Sequence, residues 1–238
     1  NVLLRDGQLD VAMVSMLEHK LEKCRFTRVD SDVIDRLIAK DEPKGEELAN
    51  EKKDILSSVF RSQLPSMNKV EFNVETQAMG ETGAPIMITQ SEYMRRMKEM
   101  SHIQAGMSFY GEMPDMFNVV LNSDHKLVKQ VLEDANSACS EELLPIETSI
   151  AALNFEQSEM QKKQQGMKYD EIPQADKDAL SEVEKKIADE KSKKDAVLGK
   201  YAGGNKVIRQ LVDLALLQNN MLKGEALSNF VKRSIEMI

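Results

Sequence analysis

Apolar positions along residues 46–139 follow two spacings, which predict a small sheet covered by helices. Lys69–Glu75 alternates strictly between apolar and polar residues, which predicts a strand with one solvated face. Pro85–Thr89 and Met116–Leu121 predict two more strands, and the glycine-containing segment Ala78–Ala84 predicts a hairpin loop between the first two. Glu46–Gln63 has helical spacing instead, with an apolar face formed by Leu48, Ile55, Leu56, Val59 and Phe60.

The helix expected after the third strand has Asn122 or Ser123 as its N-cap. Its buried face is predicted to comprise Leu127, Val128, Val131, Leu132, Ala135 and Cys139. With a helix between the second and third strands, the order becomes α-β-β-α-β-α. This order predicts an α+β fold in which a three-stranded sheet is covered by helices.

The helix between those strands is rich in methionine. Wound at about 100° per residue, Tyr93–Met107 places Tyr93, Met97, Met100, Ile103 and Met107 on one face, which only Arg96 interrupts. Methionine side chains repack easily, so this face suits a surface that binds varied apolar segments. An amphipathic stripe is also the ordinary pattern of a core-facing helix, and both readings stay open on the pattern alone.

Residues 1–40 have a pattern that predicts a different domain from the rest of the chain. An apolar run at Val2–Leu4, a helix over Leu9–Leu21 and a possible strand at Cys24–Val29 predict β-α-β, the tail of an α/β domain. The charged turn residues 41–45 predict a domain boundary, so that residues 46–238 form the second domain. The chain starts at Asn1 without a signal-like segment, and we expect it to be a piece of a longer protein.

Residues 140–204 repeat apolar positions at heptad spacing on both sides of Gly166 and Pro173. This pattern predicts two long helices folded back as an antiparallel hairpin inserted in the second domain. The hairpin is interpreted as a solvated spacer, and the alternative is an arm that docks a specific partner.

Two further helices end the chain. Lys206–Leu222 is apolar on more than one side, with Gly224 as the glycine that ends it, and the last helix has a single apolar stripe. A second copy of this pair would complete a four-helix bundle around a two-fold axis. The predicted dimer interface consists of Leu211, Leu214, Leu217, Met221, Leu227, Phe230, Val231 and Ile235.

The composition and the motifs of the chain argue against several classes of function. The net charge of −8 argues against nucleic acid as a partner, and no apolar run approaches the length of a membrane helix. The two cysteines are expected to be reduced thiols of a cytosolic protein. No metal-ligand spacing or catalytic set stands out; Asp124 and His125 are interpreted as a surface pair at a helix cap, and residues 203–206 resemble a phosphate loop only loosely.

Three stretches carry a resemblance to a known family. The run PDMFNVVLNSDHKLVK (114–129), the ending LVDLALLQNNMLKGEALSNFVKRSIEMI and the strand pair over 71–89 resemble the C-terminal domain of bacterial heat-shock-protein-ninety chaperones. Residues 1–30 look like the end of that family's middle domain. The resemblance covers roughly residues 1–135 and 205–238 but not the hairpin.

The resemblance implies an ATP-driven homodimeric clamp that binds unfolded or partly folded client proteins in the cytoplasm. ATP and magnesium would bind in parts of the full-length protein that this chain lacks, so no enzymatic activity and no cofactor are expected here. The client-binding residues implied are Tyr93, Met94, Met97, Met100, Ile103 and Met107. The ending Glu236-Met237-Ile238 lacks the acidic tail of eukaryotic members, which makes tail-docked co-chaperones an unexpected partner.

Two alternatives remain. A structural adaptor would use the hairpin of residues 140–204 to dock one protein partner. An enzyme domain is a weaker alternative, because no acid–base pair or activated nucleophile is visible in the sequence.

Overall fold

The computed structural model describes residues 10–21, 23, 24, 26, 47–101, 113–165 and 172–237. Its helices are α1 (Asp10–Lys20), α2 (Asn50–Arg61), α3 (Glu92–Ser101), α4 (Lys126–Gln164), α5 (Gln174–Gly204), α6 (Lys206–Gln218) and α7 (Gly224–Glu236). Its strands are β1 (Val70–Gln77), β2 (Ile86–Gln90) and β3 (Asp115–Asn122). The predicted α+β class and the order α-β-β-α-β-α are confirmed.

The three strands form one sheet in the order β1-β3-β2. β3 pairs in parallel with β1, with Val74 opposite Val119, and antiparallel with β2, with Ile88 opposite Val119. The predicted hairpin between β1 and β2 is therefore wrong. β3 lies between them. After β2 the chain continues through α3 and returns as β3, which takes the central position in the sheet. The parallel pairing of β3 with β1 requires a crossover connection of this kind.

The hydrophobic core lies on one face of this sheet. Val74, Ile86, Ile88, Val119 and Leu121 are buried there under residues of α2, α4, α5 and α6. The four apolar residues predicted for α2 from Ile55 to Phe60 are all buried, and Leu48 packs against the core from just before the helix. The predicted face of α4 is also confirmed, with Leu127 half-buried and the other five residues buried.

The predicted helical hairpin is present as α4 and α5. Lys194 Nζ lies 2.8 Å from Glu147 Oε1, and Gln157 Nε2 lies 3.3 Å from Glu184 Oε1, so the two helices run antiparallel. The first arm does not start near residue 140, because α4 continues without a break from Lys126 and includes Pro145. Proline removes one backbone donor from the helix, and Pro145 lies on the exposed side, where water can reach the carbonyl it leaves.

The turn between β3 and α4 is built around Asn122, which is fully buried. Its Oδ1 accepts hydrogen bonds from the backbone N–H groups of Met79 and Asp124, both at 3.1 Å, and its Nδ2 donates to Gly80 O at 2.8 Å. Asp124 is also buried and accepts from Gly80 N at 2.9 Å. Two expectations are corrected here: neither Asn122 nor Ser123 caps α4, and Asp124 is not a surface residue.

The helix cap is His125 instead, whose Nδ1 accepts from Leu127 N at 3.2 Å. A third correction concerns the end of α6. That helix ends at Gln218, and the left-handed residue that follows its end is Asn220 (φ 56°), so Gly224 is not the residue that ends it. Met221 N donates to Leu216 O at 2.9 Å, which is the closing bond of a Schellman motif. Gly224 begins α7, with φ 60°.

The N-terminal prediction can be compared only in part. The helix predicted over Leu9–Leu21 is present as α1, with Val14 buried and Met13, Met16 and Leu21 exposed. The strand at Val2–Leu4, the boundary at 41–45 and most of the possible strand at 24–29 lie outside the described residues. The division into two domains stays a prediction.

Candidate interaction surfaces

Helix α3 is attached to the end of the sheet through its polar side. Lys98 Nζ lies 2.8 Å from Asp115 Oδ1 and 3.3 Å from Met113 O, at the point where β3 begins. Gln90 Nε2, at the end of β2, donates to the same carboxylate oxygen at 3.3 Å. The ion pair fixes α3 across the ends of the two strands that precede and follow it.

A second contact joins α3 to α1. Arg96 Nη1 lies 2.8 Å from Glu18 Oε2, and Arg96 Nη2 donates to Phe26 O at 2.6 Å. Glu18 Oε1 also accepts from Phe26 N at 2.6 Å. Both charged side chains are less than one-quarter exposed, so solvent screens this ion pair less than a surface pair. Arg96, which interrupts the apolar face in the sequence, is therefore a second anchor of the helix beside Lys98.

The apolar side chains of α3 lie outside the main core. Tyr93 is 62% exposed, and Met94, Met97 and Met100 are half-buried. Among the described residues, the partly buried side chains that pack against the core include none from α3. Ile103 and Met107 lie outside the described residues, so the predicted face is seen for its first turns only.

The last two helices are joined by polar contacts. Arg233 donates from Nε to Gln210 Oε1 at 2.9 Å and forms an ion pair with Asp213. Gln210 Nε2 donates to Ser234 Oγ at 2.6 Å, and Lys206 Nζ lies 2.9 Å from Glu236 Oε2. The pairing with Lys206 lowers the pKa of Glu236. These contacts occupy the side of α7 that faces α6.

The apolar side of α7 is only partly covered. None of its residues is buried; Val231 is 47% and Ile235 69% exposed. Leu214 of α6 is 38% exposed, whereas Leu211 is 6% exposed and belongs to the chain's own core. The other predicted interface residues are half-buried and pack against that core: Leu217, Met221, Leu227 and Phe230.

The described residues do not form a recognisable metal-binding, phosphate-binding or catalytic site. They contain no group of three or more metal-binding side chains. Gly203 and Gly204 belong to the last turn of α5, and Asn205 Oδ1 accepts from Val207 N at 2.9 Å as the cap of α6, so residues 203–206 do not form a phosphate loop. Burial raises the pKa of the Cys139 thiol, which disfavours the reactive thiolate.

Sequence reasoning missed the contacts of Arg96 and Asn122. Both depend on residues distant in the chain, Glu18 for the first and Met79 and Gly80 for the second. It also missed an acidic stretch in α4, which a count of charges along residues 130–161 would have found.

Known proteins similar to the chain place it in a family. It is 65% identical over all 238 residues to a protein named chaperone protein HtpG from Bacteroides fragilis, and 64% identical to the HtpG of Bacteroides thetaiotaomicron. The identity to the HtpG of Porphyromonas gingivalis is 42% over the same length. The chain belongs to the HtpG family. HtpG, high-temperature protein G, is the bacterial member of the heat-shock-protein-ninety chaperones. The resemblance to that family is therefore confirmed.

Within this family, the chain corresponds to a C-terminal portion of HtpG. It spans 35% of the length of the curated relatives it matches. The alignments with these HtpG proteins cover the whole chain, hairpin included. No family model and no solved structure matches the chain. None of the described helices is long and apolar enough to cross a membrane.

Proposed function

We propose that this chain is the dimerisation and client-binding portion of an HtpG chaperone. The observation that carries the proposal is the part of α7's apolar side that remains uncovered, with Val231 47% and Ile235 69% exposed. Membership of the HtpG family supports it. ATP and magnesium binding are assigned to parts of the full-length protein outside this chain.

The proposed dimer forms when α6 and α7 of two copies pack as a four-helix bundle. Leu214, Val231 and Ile235 would form its centre, because they are the most exposed of the predicted interface residues. Leu211 is left out of this interface since it is already buried. Each large apolar side chain removed from water stabilises by about 1.5–3 kcal/mol, and several of them offset the entropy of association.

The test of dimerisation is the mass of the chain in a dilution series, measured by sedimentation. Val231→Asp with Ile235→Asp should convert a dimer into a monomer while the helical circular dichroism spectrum is retained. Leu144→Asp is a matched control, because Leu144 is 68% exposed on the hairpin and should leave the dimer intact. A wild-type chain that is monomeric at micromolar concentration would contradict the proposal.

Client binding is proposed for the apolar side of α3. Methionine and tyrosine side chains that are accessible and outside the main core can adapt to many apolar segments. The anchors at Lys98 and Arg96 hold the helix while these side chains remain accessible. Clients would be unfolded or partly folded proteins held by many weak contacts, and the cytoplasm is the proposed location.

The test of client binding is suppression of the aggregation of reduced insulin. Met97→Glu with Met100→Glu should weaken this holding and leave the dimer mass unchanged. Met116→Glu is the control, since Met116 is a methionine of β3 that is 43% exposed. If the α3 variant unfolds the chain instead, the methionines are core residues and this assignment fails.

A further inference from the structure

The side of α4 that faces away from α5 has an apolar stripe among acidic residues. Leu144 is 68% and Phe155 69% exposed, among the most exposed large apolar side chains that the structure describes. Between them, on the same face, lie the exposed residues Thr148, Ala151 and Ala152. At 1.5 Å per residue, the stripe from Leu144 to Phe155 is about 16 Å long, which matches three turns of a second helix.

This stripe is separate from the apolar side that holds the hairpin together. Ile146, Ile150 and Leu153 lie on the opposite side of α4 and are half-buried. The polar contacts of Glu147 and Gln157 with α5 also leave the stripe uncovered. Leu144 and Phe155 are absent from the side chains that pack against the core.

The charge around the stripe has one sign. Residues 130–161 contain seven acidic residues and no Lys, Arg or His; the acidic ones are Glu133, Asp134, Glu141, Glu142, Glu147, Glu156 and Glu159. At about 100° per residue, all but Glu142 lie within about 120° of Leu144. α5 differs sharply, because its acidic and basic residues are balanced at seven each.

Few of these carboxylates are neutralised within the chain. Glu147 pairs with Lys194, and Glu159 pairs with Lys162 at 2.7 Å. Glu141 and Glu156 are exposed and form no ion pair with any residue that the structure describes. The negative electrostatic potential of these carboxylates favours a cationic partner and disfavours an acidic one.

We propose that this face of α4 binds a basic amphipathic helix of a partner polypeptide. The partner's apolar residues would pack on Leu144, Ala151 and Phe155, in the helix-on-helix mode in which residues at i, i+3, i+4 and i+7 act as anchors. Its flanking Lys or Arg residues would lie beside Glu141 and Glu156. This surface is distinct from both α3 and the α6–α7 pair, so it adds a docking site to the proposed chaperone portion.

The probe is a labelled synthetic helical peptide of about five turns with leucines on one face and lysines beside them. Comparison peptides replace the lysines by glutamates, or scramble the same residues so that no apolar face remains. Fluorescence anisotropy with the 238-residue chain measures the dissociation constant of each peptide at low and at physiological salt. The basic amphipathic peptide should bind, more weakly at higher salt, and each comparison peptide should bind at least tenfold more weakly.

Variants locate the binding surface. Leu144→Ser with Phe155→Ser and, separately, Glu141→Lys with Glu156→Lys should each weaken binding about tenfold or more. Glu182→Lys with Asp189→Lys makes the same charge change on exposed positions of α5 and should weaken it much less. Met97→Glu in α3 should have no effect, which separates this site from the proposed client surface.

Three results would overturn the proposal. The peptide could fail to bind, or it could bind equally well to the chain with Leu144→Ser and Phe155→Ser. Alternatively, that double variant could lower the mass of the wild-type assembly in sedimentation, which would show that a second copy of the chain covers the stripe. Circular dichroism and thermal melting confirm that each variant is folded, and Leu144→Ala with Phe155→Ala serves if the serine variant is not.

Discussion

The Arg96 guanidinium lies 2.8 Å from the carboxylate of Glu18, 78 residues earlier in the chain, and joins α3 to α1. It also donates to Phe26 O, so that one side chain holds both α1 and the segment after it against α3. Because Glu18 accepts from Phe26 N as well, the arginine, the carboxylate and one backbone residue form a closed network. The orientation of the methionine helix depends on this network.

We predict that Arg96→Ala loosens α3 without unfolding the core. Hydrogen bonds to a charged group contribute about 2 kcal/mol, which corresponds to roughly 30-fold faster exchange of the α3 amides if the helix opens locally. Hydrogen exchange of residues 92–101 measures the effect, with α2 as the internal reference. Exchanging the charges, Glu18→Arg with Arg96→Glu, should restore part of the protection, and unchanged exchange in Arg96→Ala would show that the contact does not hold the helix.

Asn122 supports the next prediction. Asn122→Ala removes two accepted hydrogen bonds and one donated hydrogen bond at a fully buried site, and it leaves the backbone N–H groups of Met79 and Asp124 without this acceptor. The free energy of unfolding should fall by about 3 kcal/mol, measured by urea denaturation. Asn118→Ala is the matched control, because within the described part of the chain the Asn118 side chain makes a single exposed hydrogen bond, with Asn73 at 3.4 Å, and its loss should cost less than about 0.5 kcal/mol.

The sequence predicted the strands and the helix faces well, because alternation and helical spacing are local properties of the chain. It did not predict the sheet order, since the loop residues Gly80 and Gly83 indicate a turn but not which strand lies beside β1. It placed Asp124 on the surface, because Asp is usually exposed; the backbone donor at Gly80 that allows its burial comes from residues 44 positions earlier. Contacts between distant segments decided each of these features.

The same reasoning explains why the candidate surfaces were only partly predictable. The apolar pattern of α7 identified Val231 and Ile235, and the structure shows them exposed. The pattern of α6 could not distinguish Leu211 from Leu214, because the two have the same chemistry but Leu211 faces the core. For α3, the sequence treated Arg96 as an interruption, because its partner Glu18 lies in a segment with no local relation to it.

Two glycines should respond in opposite directions to the same substitution. A Cβ at Gly83 would lie 2.9 Å from Asn122 Nδ2 and 3.0 Å from Met79 O, so Gly83→Ala should destabilise the chain by about 1–2 kcal/mol. Gly203 lies in the last turn of α5 with nothing within 4 Å of a Cβ, so Gly203→Ala should stabilise it by about 0.5 kcal/mol.

Urea denaturation of the two glycine variants and their double variant measures both effects. The atoms near a Cβ at Gly83 belong to Asn122, Met79 and Gly80, and none lies within 4 Å of a Cβ at Gly203, so the two effects should add. In the Asn122→Ala background, the cost of Gly83→Ala should shrink but not vanish, because the backbone oxygen of Met79 remains. A full cost in that background would show that the backbone contact alone determines it.

His125 makes the stability of the chain depend on pH. Burial, together with the neighbouring positive charge of Lys126, lowers the pKa of His125 below its usual value of 6.5. The neutral ring is the form that the fold uses, because Nδ1 must be unprotonated to accept the hydrogen bond from Leu127 N at the start of α4. Protonation would remove this cap, which is worth about 1 kcal/mol, and would place a positive charge at the positive end of the helix dipole.

The sign follows from proton linkage. Since the pKa is lower in the folded chain, the unfolded chain binds the proton first as the pH falls, so the contribution of His125 is complete above about pH 6.5 and is lost as the pH falls through the folded-state pKa. Urea midpoints measured from about pH 7.5 to 5.5 should decrease more steeply for the wild type than for His125→Asn. Asparagine is also a good cap but does not titrate. The difference between the two pH series therefore gives the contribution of His125 alone, because the carboxylates titrate equally in both chains. Equal slopes for the two chains would mean that His125 stays neutral, or makes no net contribution, over this range.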